Sequence, residues 1–289
     1  MGKYIIVTDT TADLPEEYIK ENNIGLLALS FSINGIEHKG DEKFDVKDFY
    51  NQMRKGAMPT TAQVNPEEAK NKMEVFLKEG YDVLYIAFTS GMSGSYNSGR
   101  IAAMELEEKY PNNKIFVVDS LCASLGEGLL VHKAVTLKKQ GKTIEEVVNW
   151  IEENKLNICH YVTVDDLFHL HRGGRVSKTA AIVGSMISLK PIIHVNDEGK
   201  LVPIGKARGR KQSLNTLVKN MKELIGSYKD QNDIIFISHG DAEEDAEYVA
   251  KKIKEELNID SFLLNYIGPT IGAHSGPGTI AIFFMGEKR

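Results

Sequence analysis

Apolar runs at residues 4–8, 82–88 and 114–119 alternate with stretches of helical periodicity, and this alternation narrows the fold more than any other feature of the chain. Buried strands joined through helices need crossover connections, which produce a largely parallel sheet with helices on its faces. The helix boundaries are written locally. Asn65-Pro66-Glu67-Glu68 supplies a cap, a proline at the first helical position and acids in the first turn, predicting a helix to about residue 79, where Gly80 ends it. Thr143, with Glu146 three residues later, forms a capping box and opens a helix carrying Val147, Trp150 and Ile151 to about residue 155.

From Ile158 the pattern changes. A strand to Val164 precedes a short basic segment, a helix predicted over 177–189, and Pro191. Residues 192–195 and 201–204 flank the turn-prone Asn196-Asp197-Glu198-Gly199, which predicts an antiparallel hairpin. Leu214, Leu217, Val218, Met221, Leu224 and Ile225 mark one amphipathic helix, and Ala242, Ala246, Val249 and Ile253 another. Strands at 233–238, 262–266 and 280–285 complete a mixed sheet. At 289 residues the chain can bury two cores. The expectation is an α/β protein of two tightly packed domains, residues 1–156 with a largely parallel sheet and residues 157–289 mixed α/β.

Composition removes several function classes. No apolar run approaches the roughly 20 residues of a membrane span, and Met1-Gly2-Lys3-Tyr4 leads into a strand rather than a signal sequence, so a cytoplasmic location is expected. Cys122 and Cys159 are isolated and read as small core residues, and no metal or cofactor motif is found. A net charge of −5 argues against nucleic acid as a partner. Nine cationic residues against two acidic ones between Arg172 and Lys211 nonetheless make that stretch locally basic, suiting an acidic or anionic partner.

Three loops hold more glycine and hydroxyl residues than connection requires. Thr89-Ser90-Gly91-Met92-Ser93-Gly94-Ser95 follows a buried strand and opens a helix, where unpaired amides and hydroxyls suit an anion. Pro59-Thr60-Thr61-Ala62-Gln63-Val64-Asn65-Pro66 also approaches a helix, and its threonines lie too far upstream to cap it. Gly268 to Thr279 frames His274 with four glycines and two prolines, which favours a ligand contact over a structural histidine. Catalytic patterns fail: the Ser93 loop has Ser95 where a nucleophile elbow needs glycine, and Gly126-Glu127-Gly128 lacks the third glycine of a dinucleotide fingerprint.

Taken in order, Val7-Thr8-Asp9-Thr10-Thr11-Ala12-Asp13-Leu14-Pro15, the Pro59 and Ser90 loops, Leu170-His171-Arg172-Gly173-Gly174-Arg175, Lys190-Pro191-Ile192 and the segment 267–278 resemble the DegV family over nearly the whole chain. The resemblance implies a two-domain fold with a ligand tunnel between or beside the domains, and a protein that carries a long-chain fatty acid for a separate fatty acid kinase. It implies carboxylate donors at Thr61 and Ser93, with His274 near the same head group and Gly94 and Ser95 completing the set. Ala62 and Ser95 depart from the usual family residues, serine and threonine respectively. Neutral hydroxyls would hold a carboxylate without a fixed buried cation opposing its release. About fifteen buried methylenes would contribute on the order of 12 kcal/mol before binding costs. The kinase would form an acyl phosphate for phospholipid synthesis, so the chain itself is expected to be no enzyme. Arg172, Arg175, Arg208, Arg210 and Lys211 are expected to form its docking surface, and a transient membrane contact is a further expectation. The alternatives are a serine-dependent acyl hydrolase using Ser93 and His274, and a carrier of another amphiphilic carboxylate.

Overall fold

The computed structural model describes residues 3–177 and 189–289. In chain order the larger elements are β1 (Tyr4–Asp9), α1 (Glu16–Glu21), β2 (Gly25–Leu27), β3 (Ser30–Ile33), β4 (Ile36–Lys39), α2 (Val46–Arg54), β5 (Thr60–Ala62), α3 (Pro66–Lys78), β6 (Asp82–Ala87), α4 (Ser95–Lys109), β7 (Ile115–Asp119), α5 (Leu125–Lys139) and α6 (Ile144–Asn154). There follow β8 (Ile158–Thr163), α7 (Phe168–Arg172), β9 (Leu189–Val195), β10 (Leu201–Arg208), α8 (Arg210–Leu224), β11 (Ile235–His239), α9 (Glu243–Leu257), β12 (Phe262–Tyr266), α10 (Pro269–Ser275) and β13 (Ile280–Met285). The helix expected over 177–189 falls largely outside the described residues; Leu189 itself begins a strand.

Among the described residues three sheets form. A parallel sheet runs β2-β1-β6-β7, and a six-stranded sheet runs β10-β9-β8-β13-β11-β12, antiparallel except for the β11–β12 pair. The α/β architecture with one parallel and one mixed sheet is therefore present. All strands of the first sheet lie within residues 4–119 and all of the second within 158–285. The local signals act as expected: Asn65 caps α3 through its side chain, and Thr143 and Glu146 form the reciprocal capping box of α6.

The third sheet, β4-β3-β5, is absent from the sequence reading. Its signal was available in Asn34-Gly35, whose φ values of 52° and 80° suit the tight turn that joins antiparallel strands with the correct twist. The sheet matters because Thr61 stands on β5, opposite Phe31 of β3.

Helix α5 lies between the two larger sheets. Its Leu125, Leu129 and Leu130 share one buried cluster with Ile6 and Leu84 of the parallel sheet and Phe236 and Phe283 of the mixed sheet. The Gly126-Glu127-Gly128 motif permits that approach: a Cβ on Gly126 would stand 2.1 Å from His160 Nε2, and one on Gly128 would stand 2.8 Å from Ala12 O. Arg289 adds a polar tie, donating to Leu121 O (2.6 Å), Lys155 O (2.7 Å), Ile158 O (3.1 Å) and Asn196 O (3.2 Å).

Candidate ligand-binding site

Beside α5 the packing leaves a cavity of about 410 Å³ lined by both halves of the chain. One face of the mixed sheet forms its apolar floor. His160 and Val162 on β8, Val164 beyond it, and Ala281 and Phe283 on β13 point into the cavity. Alternation along the strands sends Cys159, Tyr161, Ile282 and Phe284 to the opposite face, where they pack in a cluster with residues of α8 and α9. His160 is neutral, its basicity depressed by burial and by the charge of Arg289. Its Nδ1 lies 2.9 Å from Ile158 O, and its Nε2 accepts the Ala123 N–H at 3.2 Å.

Thr61, Ser93, Gly94 and His274 meet on one wall of this cavity, although they are separated by up to 213 positions in the chain. Thr61 Oγ1 and His274 Nε2 are 2.8 Å apart. Burial, and then the charges of Arg175 and Arg172, push the His274 imidazole down to about 4, so it is neutral near pH 7. Its Nδ1 is buried without a hydrogen-bond partner among the described residues and is pressed against Gly173, where an added Cβ would stand 2.1 Å away. We assign the proton to Nε2, where Thr61 Oγ1 accepts it. The Thr61 hydroxyl proton is then free to donate into the cavity.

The four hydroxyls of the Thr89–Ser95 loop separate in role. Thr89 donates to Gly199 O (3.0 Å), so the tip of the β9–β10 hairpin braces the loop from the other half of the chain. Ser90 is exposed, its N–H donating to Asp119 Oδ1. Ser95 is buried off the cavity wall; its Oγ accepts the Val64 N–H (3.2 Å) and lies 3.0 Å from Ser93 Oγ, joining the Ser93 loop to the Thr61 strand. Ser93 alone of the four lines the cavity.

The segment 268–279, read as an irregular loop, contains α10. The short helix turns Thr270, Ile271, His274 and Ser275 toward the cavity and buries Ala273 with Phe49 and Tyr50. A seven-residue helix opened by Gly268-Pro269 and closed by Gly276 has too few turns to show periodicity, so glycine and proline dominated the sequence signal.

The basic residues divide. Arg172 is half-buried on α7 and donates from Nη2 to Pro59 O and Ala273 O, both at 3.0 Å, clamping the approach to β5 against α10. Arg175 lines the cavity and donates to Met92 O through Nε (3.2 Å) and Nη2 (3.0 Å), and to Gly173 O through Nη1. The expectation of a site without fixed cations is thus corrected: two guanidiniums stand close enough to depress His274, although their hydrogen bonds serve backbone carbonyls. Arg210 pairs with Asp245 at 2.7 Å, while Arg208 and Lys211 are exposed, Lys211 over the Tyr248 ring. Met92, from the same loop as Ser93, also borders the cavity.

Behind the cavity sit three buried carboxyls that sequence reasoning did not single out. Glu127 lies 2.7 Å from Thr8 Oγ1 and 3.2 Å from Thr11 Oγ1, and Asp9 accepts from Tyr85 OH (2.9 Å) and the Phe88 N–H (3.0 Å). Asp13 accepts from Ser124 Oγ (2.6 Å) and the Gly268 N–H (2.9 Å). Burial, reinforced by Asp9, pushes the Glu127 carboxyl well above the usual carboxylate range, and burial lifts Asp13 to about 7. Among the described residues no group of three or more His, Cys, Asp or Glu is arranged to hold a metal ion, and no helix is long and apolar enough to cross a membrane.

The hydrolase alternative lacks its central contact. His274 pairs with Thr61 rather than Ser93, and an imidazole that titrates near 4 is a poor general base at neutral pH.

The fold is shared with known proteins. The structure of a fatty-acid-binding DegV family protein from Thermus thermophilus superposes with a TM-score of 0.87 at 26% identity, covering 98% of this chain and 99% of that one. A stearic-acid-binding protein from Eubacterium ventriosum gives a TM-score of 0.90 at 25% identity, covering 98% of both chains. DegV, a fatty acid binding protein from Bacillus subtilis, gives 0.85 at 29% identity, covering 99% of this chain and 100% of that one. A DegV domain-containing protein of Clostridium perfringens is 46% identical over 291 aligned positions, covering 100% of this chain and 99% of the relative. The family model described as "Uncharacterised protein, DegV family" matches residues 3–287, and with that span the chain belongs to the DegV family.

Proposed function

We propose that this protein binds a long-chain fatty acid in the cavity between its sheets and presents the carboxylate to a partner fatty acid kinase. The observation that carries the first part is the joining of an apolar cavity of about 410 Å³ to one wall of hydroxyl donors; ligand pockets span roughly 300–1,000 Å³. Thr61 and Ser93 donate to the two carboxylate oxygens, and His274 orients the Thr61 hydroxyl. Arg172 and Arg175 raise the local positive potential and so favour the ionised head group. The solved relatives named for fatty acid binding support the same ligand class.

Presentation to a kinase rests on the family resemblance and on the exposed cations Arg208 and Lys211, which suit an acidic partner face. Phosphoryl transfer to the carboxylate belongs to that partner, and this chain carries substrate and product. The protein acts as a carrier without its own catalytic group.

Native mass spectrometry of protein purified from bacteria, followed by solvent extraction, tests the reading. A stoichiometric fatty acid is expected in the wild type. Hydrogen bonds to a charged group contribute about 1.5–3 kcal/mol each, so Thr61→Ala and Ser93→Ala should each weaken binding by roughly ten- to a hundredfold. Folded wild-type protein that neither retains nor takes up a fatty acid would refute the proposal.

A further inference from the structure

The cavity wall holds a polar group that the head-group contacts do not use. Thr11 bonds Asp9 and Glu127, Ser124 bonds Asp13, and Thr279 bonds Ser275 O and Gly276 O, so these lining hydroxyls are spent on the protein. Thr61 and Ser93 belong to the head-group wall. Thr270 and Ser275 remain, each only 7% exposed, and neither side chain hydrogen-bonds another described residue. Ser275 Oγ is fully buried, whereas Thr270, on the cavity face of α10, keeps a little exposure.

Thr270 precedes His274 by one helical turn, so it stands roughly 6 Å farther along the helix axis. A ligand anchored at His274 and lying along α10 would bring its chain, not its carboxylate, to the Thr270 hydroxyl. A plain hydrocarbon there would leave a buried hydroxyl unpaired, which is unfavourable, whereas an oxygen substituent would satisfy it. The remaining neighbours on this wall cannot substitute, because Ile271 is apolar and the Thr11 proton is already donated.

We propose that Thr270 is a specificity contact for an oxygen carried on the acyl chain, and that the preferred ligands include hydroxy or oxo fatty acids substituted about one helical turn from the carboxylate, roughly 6 Å. This rests on the fatty-acid reading of the cavity and narrows it to a substrate class.

The test compares stearic acid with a positional series of monohydroxystearic acids, measuring dissociation constants by calorimetry for the wild type and Thr270→Val. Valine keeps the branched shape and removes the hydroxyl. One positional isomer should bind the wild type about tenfold more tightly than stearic acid. Thr270→Val should erase that preference while binding stearic acid as well as or better than the wild type, which also demonstrates that the variant is folded. A wild type that binds stearic acid but favours no isomer, or a preference that survives in Thr270→Val, would overturn the proposal and leave the carrier reading standing. A wild type that binds none of these acids would overturn both.

Discussion

Replacing Asp13 by asparagine probes the least ordinary part of this interior, a buried carboxyl that forms no ion pair among the described residues. Asp13 is lifted from 3.8 to about 7, chiefly by burial and to a smaller extent by Asp9, against the opposing hydrogen bonds from Ser124 and Gly268. At about 1.36 kcal/mol per pH unit the difference amounts to roughly 4 kcal/mol. Because the folded state holds the proton more tightly, the stabilising contribution is fully present below pH 3.8. It declines as the pH rises toward 7, while the unfolded chain releases a proton that the folded chain retains, and is lost above that. Asparagine fits the same place. Residue 13 has φ 52°, a left-handed conformation that asparagine tolerates. Its amide oxygen can accept from the Gly268 N–H, and its amide nitrogen can donate to Ser124 Oγ, whose proton then turns to Ser238 Oγ at 3.0 Å. Urea unfolding of wild type and Asp13→Asn, measured from pH 4 to pH 8, should show the variant gaining on the wild type by up to about 4 kcal/mol across that range. Asp9 and Glu127 are raised in the same direction, but they remain in both proteins and largely cancel in the difference. Parallel stability curves would refute the reasoning, because they would mean that Asp13 does not hold its proton in the fold.

Gly173→Ala places a methyl group 2.1 Å from His274 Nδ1, at a position whose φ of −74° accepts alanine without backbone strain. The imidazole should be displaced from Thr61, weakening fatty acid binding by about tenfold with little change in far-UV circular dichroism; unaltered affinity would show that the Thr61–His274 contact does not orient the donor. Charge reversal at Arg208 and Lys211 should slow kinase-coupled acyl phosphate formation by about tenfold at low salt and less at high salt. Fatty acid affinity should stay constant, and an unchanged coupled rate would remove these residues from the docking surface.

Much of the architecture was legible because it is encoded locally. Asn65-Pro66-Glu67-Glu68 and Thr143 with Glu146 state where helices begin, and the apolar stripes of α8 and α9 state which faces are buried. The β9–β10 hairpin was equally readable from its turn residues, although each strand extends beyond the apolar core that marked it. The small sheet carrying Thr61 was missed despite Asn34-Gly35, since β4 has three exposed residues out of four and β5 spans only three residues.

The hydroxyl-rich loops could be chosen from sequence, but the task of each hydroxyl could not. Thr89, Ser93 and Ser95 are chemically alike in the chain, and only the fold directs Thr89 to Gly199 O, Ser93 to the cavity and Ser95 to Val64 N. Charge behaved in the same way. The count between Arg172 and Lys211 revealed a basic segment, while tertiary packing turned Arg172 and Arg175 inward onto carbonyls and left Arg208 exposed. Sequence by itself determined the helix starts, the amphipathic faces, the family pattern and the candidate loops, because these depend on neighbours within a few residues. The cavity, the Thr61–His274 contact across 213 positions and the raised carboxyl of Glu127 were decided by tertiary structure alone. Hydrogen bonding and desolvation depend on what lies within a few ångströms in space, which spacing along the chain does not specify.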